Sequence, residues 1–240
     1  MLATSKIKTD IEVHKEDWHK LRLGKFTASR IGELMGKNSA NGTFTAGAMS
    51  YIEDLAGEII TGKRSDQEIF TKAIDWGNAH EPEAIDEVAG ILGKPAMRHN
   101  ETGTTHFIIL NDEYTSCTPD ALLCETDPEH ILNKEENSLK VSPLEVKCPF
   151  TFNSFIKLYR AQNPADLQEI NKDYYWQILS QMLFTKSLKG YFAVYHPYFE
   201  KRVRIIEFIT PDILYDFEKL QKTLHYAKVE LENLVNYLKN

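Results

Sequence analysis

The segment Leu144-Glu145-Val146-Lys147-Cys148 holds the only acid-x-Lys triplet in the 240-residue chain. Composition alone would supply about three such triplets, so its weight comes from its setting. On a strand, the side-chain period of two puts Glu145 and Lys147 on one face and turns Val146 into the core. Upstream, Pro119-Asp120 lies in a second extended run, and a neighbouring strand would bring its carboxylate beside Glu145. Two carboxylates and the Val146 carbonyl make a hard-oxygen set suited to Mg2+ or Mn2+. Such a cation stabilises a phosphodiester under in-line attack and lowers the pKa of bound water, while Lys147 orients that water or neutralises the developing charge. A fourth member is Glu81 in Gly77-Asn78-Ala79-His80-Glu81, where Gly77 lets a helix approach the sheet and Glu81 holds a metal-bound water. Gln177 adds an amide on a helical run. Alone, Glu81 and Gln177 are also what a solvated helix face presents.

Other chemistries find no residues. Cys117, Cys124 and Cys148 are odd in number and show no C-x-x-C spacing, and the eight histidines show no H-E-x-x-H or H-x-H spacing. This excludes thiolate and histidine-built metal sites and leaves any metal on oxygen. The net charge of −7, from 28 Lys plus Arg against 35 Asp plus Glu, argues at first against a polyanionic partner. Its distribution argues the other way. Six basic residues against three acids lie between Lys15 and Lys37, and nine acids against Lys134 and Lys140 lie between Asp112 and Glu145. An acidic centre with a basic flank suits a cation-dependent site acting on phosphates; a charge run on a solvated face gives the same pattern.

The elements that must position these residues are legible as changes of period. With 42% hydrophobic and 26% charged residues and no repeat or linker, the sequence predicts one globular domain over 1–240. No apolar run approaches the roughly 18 to 20 residues of a bilayer span, and the first residues lack a secretory signal, so a cytoplasmic protein without a membrane is expected. Residues 1–12 read as a loose arm. Helices are predicted from Asp17 to Gly24, from Thr27 or Ser29, from Thr45 to Gly62, and from about Asp75 to Leu92. Strands follow at His106–Leu110, Tyr114–Leu123 and Val141–Cys148, with a solvated acidic loop over 125–138. Helices return at Phe152–Tyr159 and Tyr174–Thr185, then strands at Gly190–Tyr195 and Val203–Thr210, then a long helix over 211–240 capped by Thr210. Along that helix, Phe217, Leu220, Leu224, Ala227, Leu231, Leu234 and Leu238 form an apolar stripe that packs on its own domain. The result is a three-layer α/β architecture.

The order G-x-x-x-E, P-D, E-x-K and helical Gln resembles the PD-(D/E)xK nucleases. The flanks resemble one branch, the phage lambda exonuclease and YqaJ-type viral recombination nucleases. The matching stretches are Trp18-His19-Lys20-Leu21-Arg22-Leu23-Gly24, Thr27-Ala28-Ser29, Trp76-Gly77, Cys117-Thr118-Pro119-Asp120, Leu144 to Phe150, and Gln177. The resemblance implies a restriction-endonuclease-like core with a central mixed β-sheet flanked by helices. It implies a Mg2+-dependent exonuclease, with Mn2+ as substitute and two ions per site, that degrades the 5′-ended strand of double-stranded DNA ends. It further implies a homotrimeric ring working with a single-strand annealing protein. By position, Asp120, Glu145 and the Val146 carbonyl would hold metal, Lys147 would be the catalytic lysine, and Glu81 and Gln177 would complete the site. Arg22, Ser29 and Thr118 fall where the family binds a terminal 5′-phosphate, a task that suits an Arg fork and two hydroxyls.

The sequence departs from the family at Ala121, where Gly usually follows the P-D pair, at Leu179, where a second helical Gln can occur, and in the longer segment between Asp120 and Glu145. Two other readings compete: a structure-specific or endonucleolytic nuclease of the same fold, and a catalytically idle DNA-binding clamp.

Overall fold

The computed structural model describes residues 6–13, 15–65, 71–98, 106–125 and 141–240. The predicted acidic loop lies almost wholly outside the described residues. Two sheets organise the chain. A four-stranded sheet has the order β1 (Lys6–Val13), β4 (His106–Leu110), β5 (Thr115–Cys117), β2 (Phe26–Thr27). A five-stranded sheet has the order β3 (Ala96–Arg98), β6 (Ala121–Cys124), β7 (Val141–Lys147), β8 (Lys189–Tyr195), β9 (Val203–Ile209). In the second sheet β7 and β8 are parallel and the other neighbours antiparallel, so the expected mixed sheet is present.

Two sequence-based expectations are corrected. Residues 6–13 form β1, paired antiparallel to β4, and are not a loose arm. The run Tyr114–Leu123 is two strands, one in each sheet, because Pro119 offers no N–H and the ladder cannot pass through it. Thr118-Pro119-Asp120 is the crossover between the sheets.

Helix α1 (Lys15–Arg22) leads into β2 and a 3-10 helix at Ala28–Leu34. Helix α2 (Ala46–Thr61) starts where the Thr45 hydroxyl accepts from the Ala48 N–H and stops at Gly62 in the left-handed region. Helix α3 (Lys72–Leu92) is capped by Thr71 and Gly93. The parallel β7–β8 connection carries α4 (Phe152–Tyr159), α5 (Pro164–Ile170) and α6 (Lys172–Thr185). Helix α5 was not predicted, although Asn163 caps it and Pro164 opens it. A 3-10 turn at Thr210–Ile213 precedes α7 (Leu214–Lys239).

Strand alternation divides the core between the two faces of the five-stranded sheet. Ala121, Leu123, Leu144, Val146, Tyr191 and Ala193 pack with Ala84, Ile85 and Val88 of α3. Leu122, Cys124, Phe192 and Val194 pack with Ile178, Leu179 and Met182 of α6. Helix α6 is held close on two sides: a Cβ at Gly190 would stand 2.8 Å from Met182 Sδ, and one at Gly32 3.1 Å from the Asp173 backbone. The α7 stripe packs inside the chain through Phe217, Leu220, Leu224, Ala227 and Leu231. It ends on Val235, with Leu238 exposed, because the 3.6-residue turn drifts off the three-four spacing.

Candidate active site

Strand β7 delivers the acid-x-Lys pair as its period requires. Val146 is buried on the α3 face, and Glu145 and Lys147 turn towards α6. Pairing of Ala121 with Leu144 carries the crossover past β7, and the Val146 N–H donates to Asp120 Oδ2 at 2.7 Å. The Glu145 carboxylate, only 2% exposed, is clamped from α6. Gln177 Nε2 donates to Oε1 and Gln181 Nε2 to Oε2, each at 2.6 Å, and Lys147 Nζ pairs with Oε1. The Lys147 ammonium also lies 5.1 Å from the Tyr174 ring centroid. Glu81 comes from α3, one turn before Ala84 and Ile85, and faces a cavity of about 490 Å3 lined also by Gly77, Val146, Lys147, Phe150 and Tyr174.

Electrostatically, these groups act on one another. Burial, then the Glu145 charge, pushes the Glu81 carboxyl up to about 7 against the pull of Lys147. Burial, then Glu145 and Glu81, holds the Asp120 carboxyl well above the usual carboxylate range. Burial opposes the charge on Lys147, but Glu145 and Asp120 outweigh it and raise the ammonium above its ordinary value.

Among the described residues no three His, Cys, Asp or Glu side chains stand together as a cage for an ion. The available set is Asp120, Glu145 and the Val146 carbonyl, which leaves the remaining positions of a shell to water and substrate, as Mg2+ usually has them. Mutual repulsion among the three acids is what a divalent cation would relieve, so the residues fit the group.

A second cleft lies across the crossover. Arg22, Lys25, Arg30 and Arg64 line a cavity of about 90 Å3 with Trp18 and Thr27. The Arg22 guanidinium sits 4.3 Å from the Trp18 ring centroid, and Trp18 Nε1 donates to Thr118 Oγ1 at 3.1 Å. Ser29 is exposed and reaches the cleft through Thr27, 3.4 Å between hydroxyls. The buried Cys117 thiol, raised mainly by burial, feels the charges of both Arg22 and Glu145. The Arg22 cleft and the carboxylates therefore flank one short segment, Cys117–Asp120.

Two details differ from the sequence reading. A Cβ on Gly77 would meet nothing within 4 Å, so Gly77 widens the cavity and does not serve helix–sheet approach. The second glutamine is present as Gln181. Leu179 is fully buried in the core, whereas residues four apart share a helix face, and that spacing from Gln177 was the available signal.

Residues 17–187 match the YqaJ-like viral recombinase domain. The chain belongs to that family. An alkaline exonuclease from Laribacter hongkongensis, LHK-Exo, superposes with TM-score 0.65 at 22% identity, covering 94% of this chain and 96% of that one. The same enzyme in complex with dAMP gives TM-score 0.66. A phage-related exonuclease from Haemophilus somnus 129PT gives TM-score 0.61 at 15% identity, over 89% and 96% of the two chains. The shared fold is the PD-(D/E)xK nuclease fold. Comparison with curated proteins returns no match.

Proposed function

We propose that the protein is a Mg2+-dependent exonuclease that degrades the 5′-ended strand of duplex DNA and leaves 3′ single-stranded overhangs for recombination. Family membership and the nuclease fold carry the coarser statement, that it is a deoxyribonuclease. The finer reading rests on one observation: Glu81 and Lys147 line one cavity, Glu145 pairs with Lys147, Asp120 accepts from the Val146 N–H, and Trp18 of the basic Arg22 cleft bonds Thr118 two residues before Asp120. Asp120, Glu145 and the Val146 carbonyl would hold Mg2+, or Mn2+, two ions to a site, supplying charge neutralisation at the phosphate and a bound water of lowered pKa. Gln177 and Gln181 fix the Glu145 carboxylate in one orientation. Lys147 stays protonated and donates to the oxygen on which charge develops. Glu81 holds the attacking water at the cavity wall. Arg22, with Thr118 and Ser29, takes the terminal 5′-phosphate, so the end is anchored on one side of the crossover and cut on the other. The product strand passes to a single-strand annealing protein, in the cytoplasm of a bacterial or phage-infected cell.

The test is a gel assay on linear duplexes carrying 5′-phosphate or 5′-hydroxyl ends, with each strand labelled separately, in Mg2+ or chelator. Loss of the 5′-ended strand alone, faster from 5′-phosphate and abolished by chelation, is expected. Cleavage of covalently closed circles would replace the exonuclease reading with an endonuclease. DNA binding without cleavage in any divalent ion would replace it with a clamp.

A further inference from the structure

We propose that the exposed rings of Phe150 and Tyr198, joined through Trp76, form a stacking platform for unpaired nucleobases next to the scissile phosphate. The inference rests on the nuclease reading above and names what occupies the mouth of the same site. Phe150 lines the cavity that also holds Glu81 and Lys147, and it stands three residues beyond Lys147, within about 10 Å along the chain. Trp76 meets Phe150 edge-on at 5.7 Å between centroids, and Tyr198 meets Trp76 edge-on at 5.7 Å. An aromatic strip thus runs outward from the catalytic cavity.

Its outer rings lie open, Phe150 at 47% and Tyr198 at 71% exposure. Its inner side is packed. Trp76 rests on His80 at 4.1 Å, and the fully buried His196, at the end of β8, accepts from the Tyr198 N–H through Nδ1 at 3.3 Å. Contiguous exposed aromatics on an otherwise well-packed chain mark a contact surface.

The chemistry of the rings selects the occupant. Of the acids around the strip, Glu87 and Glu83 are paired by Arg202 at 2.8 Å and 3.7 Å, while Asp75 and Glu200 are exposed beside Trp76 and Tyr198. Lys201, exposed in the same turn as Tyr198 and next to Glu200, offers one contact for a nucleic-acid backbone. Uncharged rings offer little to a phosphate but bind the π-face that every base presents, irrespective of sequence. Paired bases in a duplex already stack on one another, so the ligand is the unpaired stretch whose phosphate enters the cavity.

The experiment uses a short single-stranded oligodeoxynucleotide carrying 2-aminopurine, with Ca2+ in place of Mg2+ so that binding needs no turnover. Wild type should quench the fluorophore. Tyr198→Ala and Phe150→Leu should each weaken binding about 10-fold, and Tyr198→Phe should restore it, which a merely structural tyrosine hydroxyl would not allow. Replacing the reporter base by an abasic residue should cost wild type a similar factor and cost Tyr198→Ala almost nothing. Equal binding by wild type and Tyr198→Ala, or abasic and mutant penalties that multiply, would overturn the platform. So would a Tyr198→Ala protein of altered mass in solution, which would place the strip between copies of the chain. Full Mg2+-dependent cleavage without Tyr198-dependent quenching removes the platform alone; quenching without cleavage removes the nuclease reading and leaves the platform standing.

Discussion

The Glu145 carboxylate takes three donors, from Gln177, Gln181 and Lys147, while Asp120 and Glu81 press negative charge against it. These two circumstances separate activity from stability at single residues. Lys147→Ala removes one preorganised positive group from the site where charge develops, and should slow hydrolysis by about 10²-fold or more. The two glutamine amides remain on Glu145, so the fold should persist; a near wild-type rate would refute the assignment. Asp120→Asn keeps an oxygen to accept from the Val146 N–H but removes a charge that burial and two neighbouring acids disfavour. Activity should vanish while the metal-free protein melts at a higher temperature, and a lower melting temperature would show that the acids do not repel one another. At the other cleft, Arg22→Ala should remove most of the preference for 5′-phosphate over 5′-hydroxyl ends. An effect of about 1.5 to 3 kcal/mol is expected for one charge-assisted contact, and equal slowing on both ends would place Arg22 elsewhere.

At the scale of elements, α6 does the most positioning, because one of its faces fills the core while Gln177 and Gln181 reach the acid. Gln181→Leu would leave Glu145 Oε2 buried without its donor, at a cost of about 1 to 3 kcal/mol in stability, together with slower turnover from a loosened carboxylate. Denaturant unfolding and single-turnover rates check both, and an unchanged midpoint would mean that the amide is dispensable. How far these placements could be read depended on the range of the interaction. The strand period fixed the faces of Glu145 and Lys147, and the Thr45, Gly62 and Gly93 helix ends followed from local capping. The division of Tyr114–Leu123 between two sheets, the pairing of β1 with β4 and the proximity of Asp120 to Val146 depend on partners distant in sequence, which periodicity cannot supply. The Asp112–Lys228 ion pair, from the β4–β5 turn to α7, is another such long-range contact. Burial works against the Asp112 charge, but Lys228 and then Thr115 outweigh it and hold the carboxyl below 3.8. A depressed folded value means that the stabilisation is complete above 3.8 and is lost as pH falls through the folded value. Lys228→Met should therefore destabilise by about 1 kcal/mol near neutrality, as a partly screened pair does, and the gap to wild type should close in strong acid. A gap unchanged at low pH would assign the loss to packing.

At the scale of the whole molecule, the proposed degradation of one strand would require a chain of net charge −7 to stay on a polyanion. Basic residues are concentrated in the Arg22 cleft, enough to seat an end but few for continuous electrostatic attraction, whose strength grows with the number of phosphates neutralised. Enclosure is the alternative, and a ring of three copies, as the family resemblance implies, supplies it without broad positive charge. The α7 stripe is spent inside the chain, so a ring would have to use other surfaces. Leu188 at 73%, Tyr215 at 80% and Tyr237 at 79% exposure provide apolar area that the single chain leaves uncovered. Light scattering should give a mass near three times 27.6 kDa. Digestion of a long duplex, once begun, should continue after excess competitor DNA is added, because an enclosed strand does not exchange. A monomer at micromolar concentration that releases its substrate at once would refute the ring, and the protein's hold on DNA would then have to come from the end cleft alone.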